Sequence, residues 1–187
     1  MPGGIYEKEY KEYDTNESSI SNENIIFSTG IIGLIVGYLF FNRCPARNIP
    51  NTDCIVSPAD GIVTSIDSNK NKIDIFLNLQ DVHCQRIPYD GVITEIFETD
   101  KTKNIITINT DIGDIIIERN AGYIAKTVIT DSYIQIGNSV EKGDVFGRIL
   151  LGSHTSIIIP QYLKIEVNVG DHILAGETII SNIFYGY

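Results

Sequence analysis

Three short polar clusters interrupt the apolar runs of this chain, and each contains a side chain that can take part in covalent chemistry. They read SPADG, DVHCQRIP and LGSH, and they contribute the Asp60 carboxylate, the His83 imidazole and the Ser153 hydroxyl. A hydroxyl with a base beside it is the minimal set for nucleophilic attack on a carbonyl. Taken singly, Asp60 and Ser153 are typical turn residues next to a glycine, and His83 is typical of a structural histidine.

Two common kinds of site are not indicated by the spacing of these residues. Ser153 does not lie in a G-x-S-x-G sequence, so the nucleophile turn of a hydrolase is not predicted. The histidines His83, His154 and His172 show neither HxxxH nor HxH spacing, so no metal site is predicted. His154 and His172 are assigned no role.

Net charge and cysteine content limit the function classes. The 187 residues are enough for one domain with a real core. A formal net charge of −10 argues against a protein that binds the phosphate backbone of a nucleic acid. Cys44, Cys54 and Cys84 form no CxxC pair and are odd in number, which favours three reduced thiols.

The N-terminal third is expected to position the rest of the chain rather than to form its core. Residues 1–24 are polar and acidic and predict a disordered tail. Residues 25–41 carry no charge and predict a single-pass transmembrane helix, with a buried core helix as the alternative. Arg43 and Arg47 follow this run closely and favour a cytoplasmic C-terminal domain. Residues 42–53, with two prolines, predict an irregular linker.

Beyond the linker the pattern is that of strands. Short apolar runs recur every 8–12 residues or so, separated by Gly, Asn, Asp or Pro, which predicts an all-β sandwich or barrel over residues 54–187. Val140–Asp144 and Val167–Asp171 repeat the sequence V-x-x-G-D, and each is expected to form a turn between strands. The repeat favours two similar halves in one barrel-sandwich domain of the lipoyl-like hybrid type.

The order of the motifs carries more information than any one of them. SPADGIV, DVHCQRIPYDG, IERN, LGS and VNVGDHILAGETII occur in a sequence that resembles the short form of the phosphatidylserine decarboxylase family. The resemblance begins near residues 40–50 and reaches the C-terminus. It implies a proenzyme that cuts itself between Gly152 and Ser153. The products would be a beta chain, 1–152, and an alpha chain, 153–187, which stay together as a heterodimer, with higher oligomers left open.

The implied cleavage can be followed atom by atom. Ser153 Oγ attacks the Gly152 carbonyl carbon, and the amide becomes an ester. Elimination across the Ser153 Cα–Cβ bond releases the Gly152 carboxylate, and the remaining dehydroalanine exchanges its nitrogen for a water oxygen. The resemblance thus implies a covalent pyruvoyl cofactor derived from Ser153, which withdraws electrons from a bound amine. The implied reaction converts phosphatidylserine to phosphatidylethanolamine, so a phospholipid and a membrane are the expected partners.

The resemblance also assigns roles to individual residues. Asp60 matches the acidic residue used in processing, and His83 matches a histidine near the substrate carboxylate that supplies a proton after CO₂ leaves. Arg86 stands where longer bacterial members have a second histidine, and arginine cannot act as a base. The processing base therefore remains open between Asp60 and His83. Arg86 and Arg119 are expected to bind the lipid phosphate or carboxylate.

Two alternatives to the interpretation as a phosphatidylserine decarboxylase remain. The first is a non-catalytic, membrane-anchored barrel module. The VNVGDHILAGETII segment also looks like a lipoyl or biotinyl carrier, but such a domain needs a lysine in an M-K type turn, and the chain has no such dipeptide. The second alternative is a decarboxylase of another lipid with a serine headgroup, such as an ether-linked one.

Overall fold

A computed structural model describes residues 22–99, 102–122, 128–149 and 153–184. Most of the predicted tail, together with Gly152, lies outside these ranges. The elements in chain order are α1 (Asn22–Phe41), β1 (Cys54–Val56), β2 (Gly61–Asp67), β3 (Lys72–Leu77), β4 (Cys84–Arg86), β5 (Gly91–Thr99), β6 (Lys103–Thr110), β7 (Gly113–Asn120), β8 (Val128–Thr130), β9 (Ser139–Val140), β10 (Val145–Ile149), β11 (Ser153–Ile158), β12 (His172–Ile173) and β13 (Ile179–Asn182).

Helix α1 occupies the uncharged run and begins three residues before it, at Asn22. Most of its large apolar side chains are exposed, from Ile25 to Phe40. Within the described ranges, no helix combines the length and the apolar character that a membrane crossing needs. The prediction of a transmembrane helix at 25–41 is therefore not supported. The run of 17 uncharged residues rises by roughly 26 Å as a helix, against ~30 Å for a hydrocarbon core.

The prediction of an all-β domain is confirmed for residues beyond the helix. The described strands form sheets of eight, three and two strands, and every pairing is antiparallel. The orders are β12-β2-β3-β11-β7-β6-β5-β9, β4-β10-β8 and β1-β13. The closer description as a barrel-sandwich hybrid stays a prediction.

Isoleucine fills the interior between these sheets. Its β-branched side chain packs well on a pleated surface, which explains why an isoleucine-rich sequence forms strands here. Ile73, Ile75, Ile115 and Ile157 belong to one buried cluster, and a second cluster is built around Phe146. The core therefore lies on the inner face of the large sheet.

The two V-x-x-G-D repeats form the same turn. In the first, the Glu141 N–H donates to the Asp144 carboxylate, and in the second the Asn168 N–H donates to the Asp171 carboxylate. The glycine before each aspartate has a positive φ, 91° at Gly143 and 98° at Gly170. Glycine adopts this conformation without the steric cost that other residues meet. The expected turns are therefore present.

A segment without helix or strand, residues 43–49, crosses the β domain after α1. We refer to it as the strap. Its Cys44 forms a disulfide with Cys84 of β4, with the two Cα atoms 5.4 Å apart, while Cys54 is a free buried thiol. The expectation of three reduced thiols is therefore wrong. The paired cysteines are 40 residues apart in sequence, so their proximity depends on the path of the strap.

Candidate active site

Ser153 is the first residue of a central strand. It is fully buried, and β11 is paired with β3 on one side and with β7 on the other. The Ser153 backbone lies opposite Leu77 of β3. The β3 pairing includes Ser153 itself, and the β7 pairing begins one residue later, at His154, so ladders of backbone hydrogen bonds fix the start of β11.

The backbone of His83 contacts the strand that precedes Ser153 in the chain. The Ile149 N–H, at the end of β10, donates to the His83 carbonyl at 3.1 Å. Residues 150–152 then lead from β10, in the three-stranded sheet, to Ser153 in the eight-stranded sheet. Gly152 itself lies outside the described residues. The bond that was predicted to break is thus the last one in a three-residue connection between two sheets.

Gln85 joins the two sheets beside Ser153, and sequence reasoning missed it. Its Nε2 donates to Thr155 Oγ1, and both side chains are fully buried. Thr155 follows Ser153 by two residues, so the two side chains point to the same face of β11. The signal in the sequence was a glutamine two residues after the histidine of DVHCQRIP, in a segment otherwise expected to face the core.

His83 is buried, and it is neutral at physiological pH. Desolvation by burial lowers the pKa of His83 below its usual value, and the Arg43 charge acts in the same direction, while Asp81 and Asp60 partly offset both effects. Apart from a contact with the Asp81 backbone that raises the pKa, neither ring nitrogen makes a hydrogen bond of good geometry among the described residues. The ring of Phe41 lies edge-on to the imidazole, with centroids 5.7 Å apart. Such an imidazole can exchange a proton with a bound molecule.

Asp60 is held by donors on both of its oxygens. Arg47 Nη2 donates to Oδ2 at 2.7 Å, and the Ala175 N–H donates to Oδ1 at 2.7 Å. Desolvation by burial raises the pKa of Asp60 above its usual value, although both of these donors oppose the rise. The charge of Asp81 adds to it. Asp60 is therefore a carboxylate whose ionisation depends on its neighbours.

Asp81 has a partner that sequence analysis dismissed. His172 Nε2 lies 3.0 Å from Asp81 Oδ1, and the Asn78 N–H donates to Oδ2. Asp81 is nearly buried, whereas about half of the His172 side chain is exposed. His154, in contrast, is exposed and contacts Phe76 with the two rings tilted by 54° and their centroids 4.9 Å apart. The structure thus brings His172, but not His154, to the charged group around Asp60 and His83.

The two arginines that were expected to bind the substrate have other partners in the structure. Arg86 donates to the backbone carbonyls of Gly143 and Pro45, at 2.6 and 2.7 Å. Desolvation lowers its pKa, and the charge of Asp60 opposes this. These contacts make Arg86 an anchor of the strap, close enough to Asp60 to feel its charge.

Arg119 is fully buried on β7, where its backbone lies opposite Thr155 of β11. Its guanidinium donates to Asn104 Oδ1, Thr130 Oγ1 and the Ile129 carbonyl, all of which are neutral. Burial lowers its pKa to about 9, so the group remains charged at neutral pH. Arg119 is thus a buried cation that donates its hydrogen bonds to uncharged groups.

A cavity of about 830 Å³ opens elsewhere on the domain. It is lined by residues 49–53 together with Tyr89–Val92 and Ser139–Lys142. None of Asp60, His83 and Ser153 lines it. This cavity is therefore not the candidate active site. The candidate site is defined by the buried side chains of Asp60, His83 and Ser153.

Comparison with known proteins identifies the family of this chain. The sequence profile of the phosphatidylserine decarboxylase family matches residues 38–181, which span the strap, Asp60, His83 and Ser153. The chain therefore belongs to the phosphatidylserine decarboxylase family. It is accordingly an enzyme, a carboxy-lyase.

Its relatives carry two kinds of name. A putative archaetidylserine decarboxylase proenzyme of Methanosarcina mazei is 35% identical, over 86% of this chain and 81% of that protein. The phosphatidylserine decarboxylase proenzymes of Wolbachia sp. subsp. Brugia malayi and Chlorobaculum tepidum are 32% and 30% identical, over 77% and 83% of this chain and 74% and 82% of theirs. A crystal structure of CbpA from L. salivarius REN aligns with a TM-score of 0.36 and 14% identity over 51% of this chain and 65% of that one, too distant to define a shared fold.

Proposed function

We propose that this chain cuts itself between Gly152 and Ser153 and then decarboxylates the serine headgroup of a phospholipid. The observation that carries the proposal is the position of Ser153. Its hydroxyl is buried at the start of a central strand. Three residues separate it in the chain from the end of strand β10 at Ile149, whose N–H donates a hydrogen bond to the His83 carbonyl. Cleavage there would cut the chain connection between two sheets, and no strand would be divided.

The alpha chain, 153–187, is expected to stay in place after cleavage. It contributes β11 to the middle of the large sheet, β12 to its edge beside β2, and β13 to the pair with β1. Each of these strands pairs with a strand of the beta chain. The backbone ladders therefore hold the new N-terminus at the site, and the predicted heterodimer needs no further contact.

The residues around Ser153 fit a pyruvoyl group at that position. The two buried ring nitrogens of His83 and the buried Oε1 of Gln85 make no hydrogen bond of good geometry among the described residues. Unpaired buried polar atoms are costly, and a polar group or a substrate placed between the sheets would pair them. Formed from Ser153, the pyruvoyl carbonyl would supply an electron sink for the bond that loses CO₂.

His83 is proposed to handle the proton in that reaction. Its imidazole is neutral because burial lowers its pKa, and a neutral imidazole can take a proton at one nitrogen and deliver it to the carbon that has lost CO₂. Phe41 covers one edge of the ring and helps to exclude water. Asp60 is proposed to act in processing, as the base at Ser153 or as the group that orients one.

Arg86 remains the better proposal for an anion ligand of the substrate. It is partly exposed, whereas Arg119 is fully buried and fixed among neutral acceptors. The substrate class proposed is a lipid with a serine headgroup, which the names of both groups of relatives share. Because such a lipid is anchored in a bilayer, the enzyme is expected to act at a lipid surface. A cytoplasmic orientation and higher oligomers stay predictions.

Intact-mass measurement of the purified chain tests the cleavage. The wild-type protein should give two fragments, and the smaller should begin at position 153, lack a free α-amine and react with a hydrazide. Ser153→Ala should remain one full-length chain. Ser156→Ala is the matched control, because Ser156 lies on the same strand but bonds to Asp74, and it should be cut normally. A cut at position 153 in Ser153→Ala contradicts the mechanism.

Release of CO₂ from vesicles tests the substrate. Ester-linked phosphatidylserine and an ether-linked serine lipid should be offered in parallel, at equal surface concentration. Turnover of either supports a serine-headgroup decarboxylase, and the ratio of the two rates identifies the preferred tails. A chain that stays uncut and releases no CO₂ from either lipid is the non-catalytic barrel module.

A further inference from the structure

The ion pair between Arg47 and Asp60 is nearly closed off from solvent. The two side chains are 9% and 4% exposed, and Nη2 and Oδ2 are 2.7 Å apart. Arg47 lies on the strap, whereas Asp60 directly precedes β2. A buried carboxylate is strongly destabilised when its counter-charge is removed, so this contact controls whether Asp60 carries a charge.

The other groups that face Asp60 cannot replace Arg47. The Ala175 N–H bonds the second carboxylate oxygen, but it carries no net charge. Asp81 contributes a like charge, which favours the protonated form of Asp60, and His83 is neutral. Arg86 keeps its charge and is within electrostatic range, but its two hydrogen-bonded nitrogens donate to backbone carbonyls rather than to Asp60, so it supplies attraction at longer range and no oriented contact.

The strap is fixed at several points, which holds Arg47 in register with Asp60. Cys44 is bonded covalently to Cys84, the Pro45 carbonyl accepts from Arg86, and the Asn48 N–H donates to Glu177 Oε1 at 3.0 Å. Arg47 is therefore bracketed by anchors on both sides within four residues. A side chain so confined is pre-organised, and little entropy is lost when it makes its contact.

We propose that Arg47 is a positioning residue for self-cleavage, which keeps the Asp60 carboxylate charged and oriented for its part in the reaction at Ser153. This inference rests on the proposed processing role of Asp60. The proposal adds Arg47 to the residues that act in self-cleavage, although Arg47 lies outside the three polar clusters SPADG, DVHCQRIP and LGSH. It also gives the strap a function in maturation.

The expected consequence is a change in the pH dependence of cleavage. If charged Asp60 is required, the rate falls as the pH drops through the pKa of Asp60. Removing the neighbouring positive charge raises that pKa, because an adjacent arginine typically lowers the pKa of an aspartate by about 1–3 units. In Arg47→Met the acid limb of the rate profile should therefore move to higher pH by ~1–3 units.

The experiment follows the fragments of freshly synthesised full-length chain by intact mass between pH 5 and 9. Arg47→Lys keeps the charge and should leave the acid limb within about one unit of the wild-type position. Lys72→Met is the matched control, because it breaks a lysine–carboxylate contact of 2.8 Å, to Glu118, on strands away from Asp60. This control should keep the wild-type profile. A wild-type acid limb in Arg47→Met overturns the proposal.

A second measurement separates this proposal from the proposed function. In the uncleaved Ser153→Ala chain, carbon-13 NMR of the Asp60 carboxyl gives its titration with Arg47 present and with Arg47→Met. A higher pKa in the double variant supports the role of Arg47 whether or not the wild-type chain cleaves, and an unchanged titration refutes it. Failure of the wild-type chain to cleave refutes the proposed function alone.

Discussion

Strand β11 and the strap both border the candidate site, but they are held in place by different forces. Strand β11 is paired through backbone hydrogen bonds with β3 over residues 153–158 and with β7 over residues 154–158. The strap pairs with no strand in the described part of the chain, and it is attached there through one disulfide, one buried ion pair and a few hydrogen bonds. The nucleophile is thus placed by a distributed set of bonds and the acid–base environment by a few specific ones.

This difference predicts how each region responds to substitution. On β11, a change of side chain leaves the ladders intact and costs packing energy. On the strap, a single change removes one of the few attachments that hold Arg47 beside Asp60. On β11, a substitution should therefore be able to change self-cleavage without unfolding the chain, as expected for Ser153. On the strap, a substitution should change both self-cleavage and the free energy of unfolding.

The largest effect is expected from the disulfide. In a Ser153→Ala background, which keeps the chain in one piece, replacing both Cys44 and Cys84 by alanine should lower the free energy of unfolding by ~4 kcal/mol. The estimate follows from the chain entropy of a closed loop whose ends are 40 residues apart. Urea unfolding under non-reducing conditions measures it.

Reductant provides the check on this first prediction. It should lower the urea midpoint of the Ser153→Ala chain and have no effect on the chain that lacks both cysteines. Cys54→Ala is the control for a cysteine outside the bridge, and it should keep the sensitivity to reductant. Equal midpoints with and without reductant in the Ser153→Ala chain would show that the bridge contributes nothing to stability.

A somewhat smaller effect is expected from the core face of β11. Ile157 is fully buried, and Ile157→Ala should cost about 3 kcal/mol of unfolding free energy, through lost burial and the cavity left behind. The position of cleavage should not change, because the ladders on both sides of β11 remain. Urea unfolding and intact mass of the same variant measure the two quantities.

The control for this second prediction is the next residue along the strand. Ile158 points to the opposite face and is partly exposed, so Ile158→Ala should cost less than Ile157→Ala. A shifted cleavage site or a lost cut in a folded Ile157→Ala chain would show that side-chain packing, and not the ladder, places Ser153. The contrast between β11 and the strap would then fail.

The sequence predicts the parts of this molecule that depend on local patterns. Short isoleucine-rich runs indicate strands, and the repeated Gly-Asp turns follow from glycine at positions of positive φ. Asp60, His83 and Ser153 could be proposed as a group because their motifs occur in a recognisable order. Each of these inferences uses residues close together in the chain, or the order of segments.

The contacts that the sequence does not reveal are the ones between distant segments. Gln85 and Thr155 are 70 residues apart, and Asp81 and His172 are 91 residues apart. The first pair joins strands of two different sheets and the second joins a loop residue to a strand, and no local periodicity encodes either contact. The strap is the extreme case, since an irregular segment has no register from which its contacts could be deduced.

The smallest effect in this series is a pH dependence of stability that originates from His83. Burial lowers its pKa in the folded chain below the usual 6.5, so the unfolded chain binds a proton more readily. Stability therefore falls as the pH drops below about 6.5, and above that pH both states are neutral and His83 contributes no slope. His83→Asn in the Ser153→Ala background should remove this part of the decline, as thermal unfolding between pH 5 and 8 can measure.

Comparison with a second histidine makes this last prediction specific. Other groups also titrate in this range, so the informative quantity is the difference between the curves of the parent and the variant. His154 is exposed on the outer face of β11, and His154→Asn leaves the buried His83 in place, so the part of the decline that His83 contributes should remain in that variant. If the stability of His83→Asn followed the same pH dependence as that of the parent, His83 would be protonated in the folded chain as easily as in water. The surroundings of His83, formed by β4 and Phe41, would then be open to solvent. The site would combine a solvent-accessible imidazole with a buried hydroxyl at Ser153 on β11.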